Sequence, residues 1–194
     1  MPNSRDVSTE DLVSAASDRY PVRVRRDHKW WADDVLGFVT SVGKEWVVVQ
    51  RLMGSVYFDG YELLRLKDIT DVEDERDNGY LERALSTLGH PRVDFDLPKS
   101  ARTRDVLEHA AEYSSLVSVY VEKTDEHALL IGLSARCRSK KFQMQLINRE
   151  GIWTTDTSSW RFKDVTRVAI GGRYVAALER FGDARPDLES IPTE

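Results

Sequence analysis

Along Leu64, Leu66, Ile69 and Val72 the apolar side chains keep to one side of an extended chain, with a single break at Lys67-Asp68. That pattern predicts a strand, a turn-like step and a second short strand. It returns as Trp160, Phe162, Val165 and Val168 around Lys163-Asp164, so that Arg65-Leu66-Lys67-Asp68-Ile69-Thr70-Asp71-Val72 is echoed by Arg161-Phe162-Lys163-Asp164-Val165-Thr166-Arg167-Val168. An internal repeat of this kind divides the chain into two related halves.

The pattern elsewhere fills in each half. Leu12, Val13 and Ala16, behind a Ser8 or Thr9 cap, give a short helix. Val22 and Val24 alternate with Arg23 and Arg25 as in a half-exposed strand. Leu36 to Leu52 reads as a hairpin turning at Gly43-Lys44-Glu45, with Trp46-Val47-Val48-Val49 as a fully buried arm. Tyr80, Leu81, Ala84, Leu85 and Leu88 mark an amphipathic helix stopped by Gly89.

After a linker containing Pro91 and Pro98, a helix over 105–113 opens the second half. There Phe38-Val39 aligns with Tyr120-Val121, and Trp46 to Val49 with Ala128 to Ile131, at an offset of 82, whereas Asp68 and Asp164 stand 96 apart. The difference (96 less 82) predicts about fourteen inserted residues between Leu133 and Trp160, read as a longer hairpin with a basic tip. A helix with Tyr174, Val175, Leu178 and Phe181, stopped by Gly182, closes the half. The expected organisation is a first repeat over 8–89, a linker over 90–101, a second repeat with the longer central hairpin over 102–183, and a disordered tail over 184–194.

A short helix followed by compact, bent strands with a penultimate Leu64-Arg65-Leu66-Lys67-Asp68-Ile69 segment resembles the Sm-like and SH3-like small β-barrels, over residues 20–75 and 113–170. The resemblance implies an α+β, mainly β fold of two small barrels in tandem, each flanked by short helices. Sm proteins carry an Arg-Gly step and an Asp-x-apolar-Asn element where RNA docks. Here Leu66 and Phe162 follow the arginines and neither hairpin has the second element, so no RNA-binding residue carries over. Small barrels host many unrelated functions.

Charge and chemistry narrow the function classes. A net charge of −5 provides no global field for phosphate backbones, so a nucleic-acid site must be a local patch. Two stretches qualify: Arg23, Arg25, Lys29, Trp30 and Trp31, where cations and rings interleave, and the basic tip Arg136, Arg138, Lys140 and Lys141. His28, His90, His109 and His127 show no metal spacing, and no nucleophile elbow, phosphate-binding loop or nicotinamide fingerprint occurs, so no cofactor is expected. The lone Cys137 reads as a small buried hydrophobe in a reducing, cytoplasmic setting. Asp68 and Asp164 read as turn residues accepting backbone N–H groups, not as general bases. No apolar run approaches a membrane span.

The leading expectation is a non-catalytic binding protein with a protein partner. RNA or single-stranded nucleic-acid binding through the basic patches is the first alternative, and a small-ligand or enzyme site in a cleft between the repeats is the second.

Overall fold

The computed structural model describes residues 4–26, 34–89, 93, 95–125 and 128–186. Lys29, Trp30, Trp31 and the tail over 187–194 lie outside the described residues. The chain folds as two compact units, Met1–Arg102 and Thr103–Glu194.

The first unit begins with helix α1 (Ser4–Asp18) and continues through β1 (Pro21–Arg26), β2 (Val35–Val42), β3 (Trp46–Met53), β4 (Tyr57–Arg65), a single 3-10 turn (Leu66–Asp68), β5 (Ile69–Asp74) and α2 (Gly79–Leu88). The second contains α3 (Thr103–Tyr113), β6 (Val117–Tyr120), β7 (Leu129–Cys137), β8 (Lys141–Ile147), β9 (Trp153–Arg161), another 3-10 turn (Phe162–Asp164), β10 (Arg167–Ile170) and α4 (Arg173–Phe181). The Lys-Asp break is thus a 3-10 turn between two strands in each unit.

The described strands form open antiparallel sheet, in the order β5-β1-β2-β3-β4 in the first unit and β10-β6-β7-β8-β9 in the second. This corrects the expectation of two closed barrels, although α+β, mainly β holds. Closure requires the last strands of a run to meet, yet β5 and β4 stand at opposite ends of theirs, as do β10 and β9. The edges explain why: β5 exposes Thr70, Asp71, Glu73 and Asp74, and β9 exposes Thr154, Thr155 and Asp156, polar positions that stay in water. Period-two patterning specifies which face of a strand is buried and says nothing about which edges meet.

In the first unit, one face packs Val22, Val24, Val47, Val49 and Leu64 against Leu12 and Ala15 of α1. Val13, expected on the apolar side of that helix, points outward at 51% exposure, because Leu12, Ala15 and Ala16 make the i, i+3, i+4 stripe. Leu36, Phe38, Leu52 and Val56 pack with Leu81 of α2. Asn78 caps α2 by accepting the Leu81 N–H at 3.2 Å, and Gly89 ends it at φ 60°. The segment after α2 is tied to the sheet: Tyr61 donates to Val93 O at 2.8 Å, Thr40 to Phe95 O at 3.2 Å and Ser41 to Leu97 O at 3.3 Å. In the second unit Leu116, Ile131, Leu133 and Ile147 pack with Val175 and Leu178 of α4.

The registers relocate the expected insertion. A Cβ placed on Gly37 of β2 would lie 2.1 Å from Gln50 O of β3, and one on Gly132 of β7 would lie 2.0 Å from Gln145 O of β8. Both glycines and both glutamines are 95 positions apart (132 less 37, 145 less 50). Hence β8, not Ala128 to Ile131, holds in its meander the place that β3 holds in its own, and the hairpin is not lengthened. Short runs of Val, Leu and Ile are interchangeable as strand signals, which is why an alignment on such runs slips.

Candidate functional site

The two basic stretches meet different surroundings. On β1, Arg23 and Arg25 stand beside Glu73 and Asp71 of β5 in the antiparallel register. Arg23 pairs with Glu75 at 2.7 Å, and Arg25 with Glu73 at 2.6 Å, Asp71 at 3.1 Å and Asp34 at 3.5 Å. Glu73 above all, with Asp34 and Asp71, raises the pKa of the Arg25 guanidinium beyond its ordinary value. Each exposed pair adds little stability, but together they leave a phosphate approaching this ladder facing carboxylates as well as cations.

The β7–β8 turn is different. Arg138 N donates to Lys141 O at 2.8 Å to close it, and the Arg104 guanidinium of α3 donates to Arg138 O. Arg136, Arg138, Lys140 and Lys141 are all exposed. Against them runs the end of β9 with its 3-10 turn, held by Phe162 N donating to Lys140 O at 3.1 Å. Between the two segments lies a groove of about 480 Å³, lined by Ser139, Lys140, Arg161, Phe162 and Lys163.

Its floor is aromatic and firmly supported. The half-buried Phe162 ring stacks on the fully buried Phe142 at 5.9 Å and 23°, and Phe142 also meets Trp160 at 5.9 Å. The Arg104 guanidinium lies over the Phe162 ring at 5.5 Å. Arg161 is bidentate to Asp164, at 2.6 and 3.3 Å. That fork cancels one charge and leaves Lys140 and Lys163 as the positive rim. An apolar group beside Phe162 with an anionic group between these lysines matches what the groove offers.

The structure therefore brings Lys140 of the basic tip together with Arg161, Phe162 and Lys163, which the sequence shows only as part of the recurring turn segment. One signal bears on this. At the register position where Trp46 faces Arg65 in the first unit, Lys141 faces Arg161 in the second. Trp46 is buried with Arg65 over its ring at 5.4 Å, whereas Lys141 and Arg161 are exposed.

Other chemistry is sparse. His109 Nδ1 lies 2.9 Å from Asp105 O within α3, while His28, His90 and His127 lie outside the described residues. Among the described residues no three His, Cys, Asp or Glu side chains are gathered as a metal site would need, and no helix is long and apolar enough to cross a membrane. Cys137 is half-buried, and burial first, then Glu108, pushes its thiol pKa up, outweighing Arg104. No protein-family model, curated protein or solved structure matches the chain.

Proposed function

We propose that this chain is a non-catalytic binding protein whose second unit holds a single-stranded nucleic acid across the groove at Lys140, Arg161, Phe162 and Lys163. The observation that carries the reading is the pairing of a cationic rim with an apolar, aromatic floor in one groove. Cations follow a phosphate backbone while the half-buried ring offers a base an apolar contact, and that combination serves sequence-tolerant binding of single strands. We take the two units as copies of one plan, on the strength of the 95-residue spacing of Gly37 and Gln50 from Gly132 and Gln145. In that plan the first copy's position is sealed by Trp46 and the second copy's is open.

The test is fluorescence anisotropy of a labelled twelve-nucleotide single strand, RNA and DNA in turn, titrated with the full chain. If Lys140, Lys141 and Lys163 neutralise three phosphates, affinity falls about 20-fold between roughly 50 and 200 mM salt, from a slope near −0.7 per phosphate. Reversing Arg138, Lys140 and Lys141 to glutamate abolishes binding and leaves the melting temperature unchanged, since all three side chains are exposed. Binding that ignores salt, or survives the reversal, refutes the reading. A protein partner is the second reading, and the outer edge of β9 favours it.

A further inference from the structure

β9 ends the strand order of its unit, with β8 as its one neighbour there. The bond from Phe162 N to Lys140 O fixes the alternation of the antiparallel ladder. The backbone N–H and C=O groups of Trp160 and Ser158 turn toward β8, so those of Thr157, Ser159 and Arg161 turn away from it.

Exposed edges of this kind are normally blunted by charge, proline or a bulge. β5 follows that rule with Asp71, Glu73 and Asp74 exposed. From Thr157 to Trp160, by contrast, β9 reads Thr-Ser-Ser-Trp, with neither charge nor proline, and its one carboxylate is Asp156. The irregularity in its pairing falls earlier, between Gln145 and Ile147 of β8, and leaves the stretch from Thr157 to Arg161 regular.

The cross-strand rows say what would fit. Lys141 sits beside Arg161, Phe142 beside Trp160, Gln143 beside Ser159 and Met144 beside Ser158. A strand added to β9 continues those rows. Its residue next to Arg161 lies in line with Arg161 and Lys141, where a carboxylate is attracted and a cation repelled; its residue next to Trp160 is best β-branched or aromatic. Arg161 already holds Asp164, so the attraction comes chiefly from Lys141 and the neighbouring Lys140.

We propose that the outer edge of β9 takes an extended segment of a partner protein as an added antiparallel strand, with acidic residues leading and β-branched residues following. Main-chain bonds supply affinity in this mode and the rows supply selectivity. The chain directions set the order: the acidic residue by Arg161 comes first, then the residues by Trp160, Ser159, Ser158 and Thr157. The proposal stands apart from nucleic-acid binding, because it rests on backbone groups of β9 and not on the groove floor.

The probe is the fluorescein-labelled peptide Glu-Glu-Val-Thr-Val-Thr-Gly, with blocked ends, titrated with the full chain. Saturable binding tighter than about 1 mM is expected. N-methylation of the first threonine, whose N–H would meet Ser159, should weaken binding more than tenfold, while N-methylation of the first valine, whose N–H would face away, should leave it unchanged. These paired probes leave the protein unaltered, so misfolding cannot imitate the result. Ser159→Pro should weaken binding equally while preserving the melting temperature, since its N–H points outward. A Lys-Lys version of the probe should not bind. No saturable binding, equal effects of the two methylations, or displacement by a single-stranded oligonucleotide of a peptide indifferent to methylation, which would mark mere charge adsorption, each overturns the proposal.

Discussion

Gly132→Ala adds one methyl group where β7 lies against the backbone of β8, and Gly37→Ala does the same between β2 and β3. The added carbon would stand 2.0 Å from Gln145 O, or 2.1 Å from Gln50 O, where real contacts of this kind essentially never fall under 3.0 Å. The obstacle is backbone, so no side chain can swing away, and the strands must part by about 1 Å. Ladder bonds near 2.9 Å would stretch past the useful range. Losing about two of them costs roughly 2 kcal/mol, and overpacking strain adds about 1 to 3 kcal/mol. The sum, about 3 to 5 kcal/mol, is a large part of the roughly 5 to 15 kcal/mol that holds a domain folded. Scanning calorimetry should show a drop of at least about 12 °C for either variant, because 1 kcal/mol moves the midpoint of a domain this size by about 4 to 8 °C. Gly89→Ala is the control: it has open space around it and a φ of 60°, so only the left-handed backbone penalty of about 1 kcal/mol applies. Melting within about 3 °C of wild type for Gly37→Ala and Gly132→Ala would refute the argument, and a large effect in one alone would refute the shared plan.

Ile69→Ala and Val165→Ala remove side chains that are 6% and 0% exposed, and each should destabilise by about 1 to 4 kcal/mol in chemical denaturation. Cys137, with its thiol pKa raised by burial, should react with a disulfide reagent at neutral pH more slowly than a free cysteine, catch up in denaturant, and show its rate rising only above the pH at which the free thiol's rate rises. A rate at neutral pH equal to that of free cysteine would contradict the environment described for it.

What the sequence disclosed tracks how local each signal is. The step at Lys67-Asp68 and its echo at Lys163-Asp164 were legible because a break in alternation between two strands is local, and both are 3-10 turns. The hairpin turn before Trp46 and the helix stop at Gly89 were legible for the same reason. The open sheet was not, because edge pairing depends on residues far apart in the chain. The alignment of Trp46 with Ala128 failed because buried strands of Val, Leu and Ile carry no register of their own, whereas Gly37 and Gly132, held by contact with a neighbouring backbone, do. Arg23 and Arg25 looked like a cationic patch because Asp71, Glu73 and Glu75 lie about fifty positions away and only the β1–β5 ladder brings them alongside.

The candidate groove was hidden for a subtler reason. Arg65-Leu66-Lys67-Asp68 and Arg161-Phe162-Lys163-Asp164 share a turn, and sharing it argued for a purely structural role. The turn is structural in both units, but its neighbour across the ladder differs. Trp46 beside Arg65 covers the first turn, and Arg65 and Asp68 are buried at 7% and 6% exposure. Lys141 beside Arg161 covers nothing, so Arg161 stands exposed and Asp164 is spent on holding it. A tryptophan desolvates the guanidinium it packs on, while a lysine next to a guanidinium repels it and draws both cations toward water and toward anions. An aromatic in one ladder and a cation at the matching place of the other thus separate a core position from an exposed, cationic one, and the difference becomes visible once the ladder shows which residues face each other.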